Sequence, residues 1–245
     1  MKEEKQLRKA YDANAERYLF TRSHPESLEV GFQNREIEQP TMFSLIPKNL
    51  KGKKLLDLGC GPGIHLRKYY KRGAICSGVD LSSEMIRLAK KQNPKIELKV
   101  GSVYKINFKT GSFDIITASF VMDHVSDLKK AVCEIKRVLK KGGLFIFSIP
   151  HPTSMMFRNS KGAYVPTNSY YDNTVYYYNL AGAGHIFPDY PRILQEYFDI
   201  FLKNGFELVQ FVENKPNSSW KRKYKKLYKN YLKMPVICFF KWKKR

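Results

Sequence analysis

The sequence lacks an apolar stretch long enough to cross a membrane. Its longest unbroken apolar runs, such as Val236 to Phe240, hold only a handful of residues, whereas a spanning helix needs about 20. The first residues are charged and helical in character, and they have no apolar centre like that of a signal peptide. The four cysteines are widely spaced and form no Cys-x-x-Cys pair, which argues against a disulfide framework or a zinc ribbon. We therefore expect a cytoplasmic protein.

Acidic residues are scarce: 22 Asp and Glu stand against 44 Lys and Arg, which gives a net charge of +22. No acid follows Glu213, and eleven Lys or Arg lie in the basic segment, residues 220–245. One interpretation is an electrostatic patch with interleaved tyrosines for nucleic acid or anionic lipid. The other, which we favour because the whole chain is rich in lysine, is a solvated amphipathic helix. Its inward side chains would be Trp220, Tyr224, Leu227, Tyr228 and Tyr231.

Apolar residues make up 43% of the 245, enough for the core of one domain. Strand and helix patterns alternate along the chain, and the strands are apolar throughout. This arrangement is typical of a doubly wound α/β fold, a mostly parallel sheet with helices on both faces. The pattern predicts seven strands over 53–59, 74–80, 96–100, 113–119, 144–150, 206–212 and 235–242, and helices over 63–72, 82–92, 126–143 and 192–206.

Two parts of the chain are not needed to build this sheet. Residues 1–50 are expected to form an N-terminal helical lid, and the tyrosine-rich residues 151–190 a substrate-side insert. Residues 51–150 would then hold the ligand-binding core, and 191–245 the last helix, the last strands and the basic segment. We therefore expect a single domain over 1–245.

The sharpest motif is Leu-Leu-Asp-Leu-Gly-Cys-Gly-Pro-Gly over residues 55–63. A strand ends in Asp57, and a turn with glycine at every second position opens a helix, so a ligand can approach the backbone closely. A dinucleotide-binding turn has the spacing Gly-x-Gly-x-x-Gly, which disfavours an NAD enzyme. Asp57 would also repel a phosphate, so a cationic or amine-bearing ligand fits better. Asp80 ends the next strand and is placed to accept hydrogen bonds from ribose hydroxyls.

Three segments carry a family resemblance: the glycine motif, GVDLSSEMIRLAK from Gly78 and FDIITAS from Phe113. Through them the chain resembles the class I S-adenosylmethionine (SAM)-dependent methyltransferases, closely over 50–150 and more loosely beyond. The resemblance implies a Rossmann-like fold, SAM as methyl donor and S-adenosylhomocysteine as product. It implies that the glycines approach the methionine part, that Asp80 holds the ribose and that Leu81 and Met85 lie near the adenine. Ser102 stands where many members carry an acid. The cofactor-binding residues expected are Tyr11, Tyr18, Asp57, Gly59, Cys60, Gly61, Gly63, Asp80, Leu81, Met85, Ser102, Val103 and Ser119.

The acceptor side is expected at the same edge of the sheet. His124 follows the fourth strand and His151 the fifth, and ligands bind at the carboxyl ends of such strands. Either histidine could be the base that removes a proton from the acceptor, although proximity alone suffices for some acceptors. His24, His151, Tyr177 and Arg192 are expected to contact the acceptor. No histidine or carboxylate cluster has metal-ligand spacing, so no metal site is predicted.

The sequence favours a small organic acceptor and leaves open whether oxygen, nitrogen or carbon is methylated. An RNA-directed methyltransferase is the rival, because of the basic segment. However, residues 118–121 lack the Asn/Asp-Pro-Pro-Tyr turn that holds a flipped base in base-methylating relatives, and no cysteine follows a proline. A SAM-binding protein without catalytic activity is a third interpretation.

Overall fold

The computed structural model describes residues 2–23, 32–155, 157–160, 163–166, 169–179 and 186–245. Every structural statement below concerns this part of the chain. His24, one of the residues expected to contact the acceptor, lies outside it, as do several residues of the insert.

Seven strands form one sheet in the order β3-β2-β1-β4-β5-β11-β10. All neighbouring pairs are parallel except those that β11 makes with β5 and β10. The predicted mostly parallel, seven-stranded α/β sheet is therefore confirmed. The strands are β1 (Lys54–Leu58), β2 (Ile75–Asp80), β3 (Glu97–Val100), β4 (Phe113–Ser119), β5 (Leu139–Pro150), β10 (Phe206–Glu213) and β11 (Ile237–Lys244).

The insert forms two small hairpins in its described part. The first pairs β6 (Phe157–Ser160) with β7 (Ala163–Pro166), and the second pairs β8 (Tyr176–Asn179) with β9 (Ile186–Asp189). The second hairpin ends beside the carboxyl edge of the main sheet, because the Tyr190 amide donates a hydrogen bond to the carbonyl of Asp123, 2.9 Å away.

Helices cover both faces of the sheet, and an apolar cluster lies on each. One cluster includes Val132, Ile135 and Phe201, and the other includes Met42 and Leu66. The helices are α1 (Lys2–Ser23), α2 (Gln39–Leu45), α3 (Ile64–Lys71), α4 (Ser83–Gln92), α5 (Leu128–Val138), α6 (Pro152–Met155), α7 (Leu194–Lys203), α8 (Trp220–Lys223) and α9 (Lys225–Tyr231), with a π-helical segment over Gln33–Glu38 and a 3-10 turn over Met122–His124.

The helix predicted over 126–143 ends earlier, at Val138. Leu139 is already extended and pairs with Phe113 of β4, so the polar stretch after it belongs to β5 rather than to the helix. The ammonium group of Lys244 donates to the carbonyls of Lys136 and Leu139, at 2.6 Å each. A distant cation therefore satisfies carbonyls at the end of α5, a contact that sequence spacing does not reveal.

The basic segment packs its aromatic side chains against the core, as the favoured interpretation predicted. It forms two short helices, α8 and α9, rather than one. Trp220 is only 3% exposed, and its ring centroid lies 4.8 Å from that of Phe32. Tyr231 is also buried, and Tyr224, Leu227 and Tyr228 pack partly against the same cluster.

We expect Trp220→Ala to destabilise the whole protein by about 3–5 kcal/mol, because it removes a large buried ring from the core. The measurement is the free energy of unfolding in urea. Leu232→Ala is the matched control, since Leu232 lies in the same segment and is 60% exposed; it should change stability by less than about 0.5 kcal/mol. Equal stability of the two variants would mean that the basic segment does not pack on the core.

Candidate active site

A cleft of about 860 Å³, counted with its open mouth, lies at the carboxyl edge of the sheet beneath α1. Loops after β1, β2 and β4 form its floor, and Glu3, Glu4 and Leu7 of α1 form part of its roof. Most of the residues expected at the cofactor meet here: Tyr11, Tyr18, Gly59, Gly61, Asp80, Leu81, Met85, Ser102, Val103 and Ser119, together with His124.

The glycine turn lies on the floor of this cleft. Gly59 has a φ of +69°, and a Cβ atom there would lie 2.3 Å from Cγ2 of Val121. Gly59 is therefore required both by its backbone conformation and by the close approach of the loop after β4. Gly63 lines neither the cleft nor a smaller pocket that lies beside the glycine turn and contains Asp57 and Cys60. A Cβ atom on Gly63 would lie 2.4 Å from Nδ2 of Asn93, so this glycine allows the start of α3 to pack closely against the end of α4. Its expected contact with the cofactor stays a prediction.

Asp80, at the end of β2, holds the turn in place. Its Oδ2 accepts a hydrogen bond from the Gly61 amide at 2.8 Å, and its Oδ1 accepts one from the Ser82 amide at 2.9 Å. Burial raises the pKa of Asp80 to about 6, although these amides lower it. The group is therefore ionised at pH 7. Each oxygen of an ionised carboxylate has two lone pairs, so each can accept a further hydrogen bond from a ligand.

Helix α1 is docked onto the sheet edge through Asp12. Oδ1 of Asp12 accepts hydrogen bonds from the Ser82 hydroxyl at 2.7 Å and from the Glu84 amide at 3.1 Å. Both donors lie at the start of α4. Farther along the cleft, the hydroxyl of Ser102 donates a short hydrogen bond to Glu4. These contacts place α1 across the cleft. The Ser102 hydroxyl also accepts a hydrogen bond from the Tyr104 amide at 3.0 Å, so Ser102 is bonded both to α1 and to the loop after β3.

A pocket beside the glycine turn contains Asp57 and Cys60, the two remaining cofactor candidates, together with Tyr18 and Arg22. Asp57 is buried and accepts a hydrogen bond from the Thr117 hydroxyl at 2.7 Å. Burial raises its pKa to about 6. Arg22 donates a short hydrogen bond to the Tyr18 hydroxyl, while its buried Nε has no partner among the described residues. The pocket thus combines a carboxylate with a guanidinium group whose buried Nε has no partner among the described residues.

A buried ion pair lies next to this pocket. Oε2 of Glu38 is 3.3 Å from Nε2 of His65, and Oε1 accepts hydrogen bonds from the hydroxyls of Ser119 (2.5 Å) and Ser148 (3.1 Å). Burial opposes ionisation of Glu38, but the charge of His65 and these contacts outweigh it and lower its pKa. Burial also opposes the charged form of His65, and Glu38 outweighs it and raises that pKa. The pair fixes Ser119 at the end of β4.

Sequence reasoning missed both Arg22 and Glu38. Both come from the first 50 residues, whose pattern predicted a helical lid but carried no signal of which side chains face the sheet. Arg22 lies one helical turn after Tyr18, a residue that the resemblance did identify, so spacing along α1 could have suggested it.

On the acceptor side, His124 is held in one orientation. Its Nδ1 lies 2.7 Å from the carbonyl oxygen of Pro188, which can only accept, so Nδ1 carries the proton. Nε2 then accepts the hydrogen bond from the hydroxyl of Tyr11, 3.1 Å away. His124 lines the cleft with an unprotonated nitrogen and remains a candidate base.

His151 does not line the cleft, so its position does not support the prediction that it contacts the acceptor. It is buried, with Nε2 3.0 Å from Oε1 of Glu213 and Nδ1 2.7 Å from the Thr153 hydroxyl. Burial lowers its pKa, against the effect of Glu213. These contacts join the end of β5 to the end of β10, which is a structural arrangement.

Two further acceptor candidates, Tyr177 and Arg192, also lie outside this cleft. Tyr177 is 61% exposed. Arg192 donates to the carbonyls of Val125 (2.5 Å) and Ser126 (2.9 Å), and it lines a second cavity next to the cleft.

No described helix is long and apolar enough to cross a membrane. Nor, among the described residues, does any group of three or more His, Cys, Asp or Glu have the placement to hold a metal ion.

Comparison with known proteins is in line with this geometry. Residues 56–147 match the family described as a methyltransferase domain. A protein of Haemophilus influenzae described as uncharacterized is 41% identical over 146 residues, which are 56% of this chain and 55% of that protein. A demethylmenaquinone methyltransferase of Renibacterium salmoninarum is 30% identical over 156 residues, 61% of this chain and 66% of that enzyme. The chain thus spans between about half and two thirds of these relatives.

Among solved structures, an S-adenosylmethionine-dependent methyltransferase from Mesorhizobium loti superposes with a TM-score of 0.73 at 22% identity, covering 84% of this chain and 97% of that one. At this identity the superposition shows the shared fold. Residues 56–147 therefore belong to the methyltransferase-domain family, and the chain has the fold of the class I S-adenosylmethionine-dependent methyltransferases.

Proposed function

We propose that the protein transfers a methyl group from SAM to a small organic acceptor. The observation that carries this proposal is the cleft at the carboxyl edge of the sheet, where the glycine turn and the ionised Asp80 face a roof formed by α1. When bound, SAM supplies a methyl group activated by its sulfonium charge. The protein then has to bind, orient and shield the reactants.

The residues of the cleft fit the cofactor along its length. Asp80 would accept hydrogen bonds from the ribose hydroxyls. Leu81, Met85 and Val103 offer apolar contacts for the adenine ring. Gly59 and Gly61 carry no side chains of their own, so the methionine part would approach the backbone of the turn, with Val121 and Tyr18 as its near neighbours.

The pocket beside the glycine turn matches the two charges of an amino acid. Asp57 offers an anion for the ammonium group, and the free Nε of Arg22 offers a donor for the carboxylate. Hydrogen bonds between charged groups are about twice as strong as those between neutral ones, so this pocket would fix the direction in which the cofactor lies.

His124 would take the proton from an acceptor hydroxyl or amine. Its Nε2 is the unprotonated nitrogen, and the carbonyl of Pro188 would stabilise the ring after protonation by keeping its bond to Nδ1. Tyr11, now bonded to Nε2, would have to give way or relay the proton. The relative from Renibacterium, named as acting on demethylmenaquinone, supports an organic acceptor.

Replacing Asp80 with alanine should weaken binding of S-adenosylhomocysteine by about 2–3 kcal/mol, roughly 30- to 150-fold in Kd, because two charged hydrogen bonds to the ribose are lost. Titration calorimetry measures this. Asp114→Ala is the control, since Asp114 lies two strands away, on β4 near its other end, and bonds to Lys140 and the Lys54 amide. Unchanged affinity in Asp80→Ala would refute the ribose assignment.

Arg22→Gln should reduce the affinity for S-adenosylhomocysteine about tenfold, the loss expected for a charged contact of about 1.4 kcal/mol. Binding of 5′-methylthioadenosine, which has the same adenosine but no amino acid, should stay the same. Arg17→Gln, exposed on the same helix, serves as control. An equal loss for both ligands would show that Arg22 does not contact the carboxylate.

The function itself is tested with SAM labelled in its methyl group. The protein is incubated with labelled SAM and either a small-molecule fraction of cell extract or a short RNA duplex. We expect micromolar binding of SAM, no binding of NAD, and label in small molecules. Label in the RNA would favour the RNA-directed alternative, and binding without transfer to either would favour a non-catalytic SAM-binding protein.

A further inference from the structure

A second cavity, of about 460 Å³ with its open mouth, adjoins the SAM cleft. Tyr190 lines both, and Asp123, in the wall of the second cavity, directly precedes His124 in the wall of the first. A ligand in the second cavity would therefore lie next to the proposed reaction centre. Its walls combine carboxylates and tyrosines: Asp123, Asp172, Asp189, Tyr170 and Tyr197.

Acidic side chains predominate among the charged residues that line this cavity, although the protein as a whole is positively charged. Three carboxylates face one cation, Arg192, among the described lining residues, whereas the whole chain carries +22. The guanidinium of Arg192 donates to backbone carbonyls, those of Val125, Ser126 and Tyr190. Its hydrogen-bonding capacity is therefore largely used elsewhere.

Two of the carboxylates are buried. Asp123 is 6% exposed and Asp189 is 3% exposed. Oδ1 of Asp123 is fully buried and has no hydrogen-bond partner among the described residues, and Oδ2 lies 3.9 Å from Nε2 of His124. A buried carboxylate oxygen without a donor costs free energy. The missing hydrogen-bond donor at Oδ1 of Asp123 indicates that a ligand would supply one.

The carboxylates of Asp123 and Asp189 also repel each other. Burial raises the pKa of Asp123, and burial together with the charge of Asp123 raises the pKa of Asp189; the charge of Arg192 lowers both pKa values but does not offset these effects. A cation between them would relieve both penalties, since an opposite charge favours the ionised form. A metal ion is a poor fit, because the described residues offer no group of three metal-binding side chains. An organic ammonium needs fewer ligands and can also lie against tyrosine rings.

We propose that the Asp123–Asp189 cavity binds the methyl acceptor through a protonated amine. The acceptor would then be an organic cation, with its ammonium group between the two carboxylates and its body reaching past Tyr190 towards the cleft. This inference rests on the proposed methyl transfer and adds the chemical class of the acceptor. The inference identifies the chemical group that anchors the acceptor and does not specify which of its atoms is methylated.

The test compares matched ligands on protein saturated with S-adenosylhomocysteine. The probes are benzylamine, phenethylamine and hexylamine, each with the alcohol and the carboxylic acid of the same skeleton, and Kd is measured by ligand-observed NMR titration. At least one amine should bind ten times more tightly than its alcohol, and the acids should bind more weakly still. Asp189→Asn should reduce that amine's affinity at least tenfold. If Asp189→Asn folds poorly, Asp123→Asn takes its place and should give the same loss. Asp114→Asn should change nothing.

The affinity for S-adenosylhomocysteine separates the two hypotheses. If the cofactor product binds but no amine is preferred over its alcohol, or if Asp189→Asn binds the amine as well as the wild type does, the amine site is refuted and the proposed function stands. If the cofactor product does not bind at all, the proposed function itself fails. Preference for the amine that is lost in Asp189→Asn, with cofactor affinity retained, supports the inference.

Discussion

One carboxylate, that of Asp80, links the elements that form the cofactor cleft. Its two oxygens accept hydrogen bonds from the backbone of Gly61, in the glycine turn, and of Ser82, which caps α4. The Ser82 hydroxyl in turn donates to Asp12 of α1. The turn, the helix after β2 and the roof of the cleft are thus held by a short chain of hydrogen bonds. Because a strand end fixes Asp80, the rigid sheet determines the geometry of the more exposed parts.

The electrostatics of the site differ from those of the rest of the molecule. The protein carries +22, yet the sheet edge contains buried carboxylates in both the cleft and the neighbouring cavity. Asp57 and Asp80 have pKa values raised by burial to about 6, whereas Glu38 has a buried cationic partner at ion-pair distance, His65. Such a site stabilises positive charge on a ligand, and SAM, with a sulfonium and an ammonium group, is a ligand of that kind. The strong positive charge elsewhere does not oppose this, because exposed charges beyond about 10 Å are screened by salt.

The sequence predicted the features that depend on neighbouring residues. Each strand carries apolar residues at consecutive or alternate positions, so all seven were found, and the glycine turn and Asp80 are placed by the strands that precede them. The contacts of His151 could not be inferred from its neighbours in the sequence, because its partner Glu213 is 62 residues away in the chain. The end of α5 was misjudged because Leu139 pairs with a strand and Lys244 binds its last carbonyls. Glu38 and the Asp123–Asp189 pair emerge only when distant segments pack together.

The basic segment shows how composition and packing can indicate different functions. Its aromatic residues are the ones that could stack on nucleic-acid bases, but Trp220 and Tyr231 are buried in the core. Tyr224 and Tyr228 are partly covered by the same cluster, whereas Lys221, Lys225 and Lys229 remain exposed. A lysine surface attracts polyanions through charge, and its affinity for them falls steeply with salt. The segment therefore completes the core through its aromatic face, and its charge adds a general attraction for anions that is separate from the chemistry of the cleft.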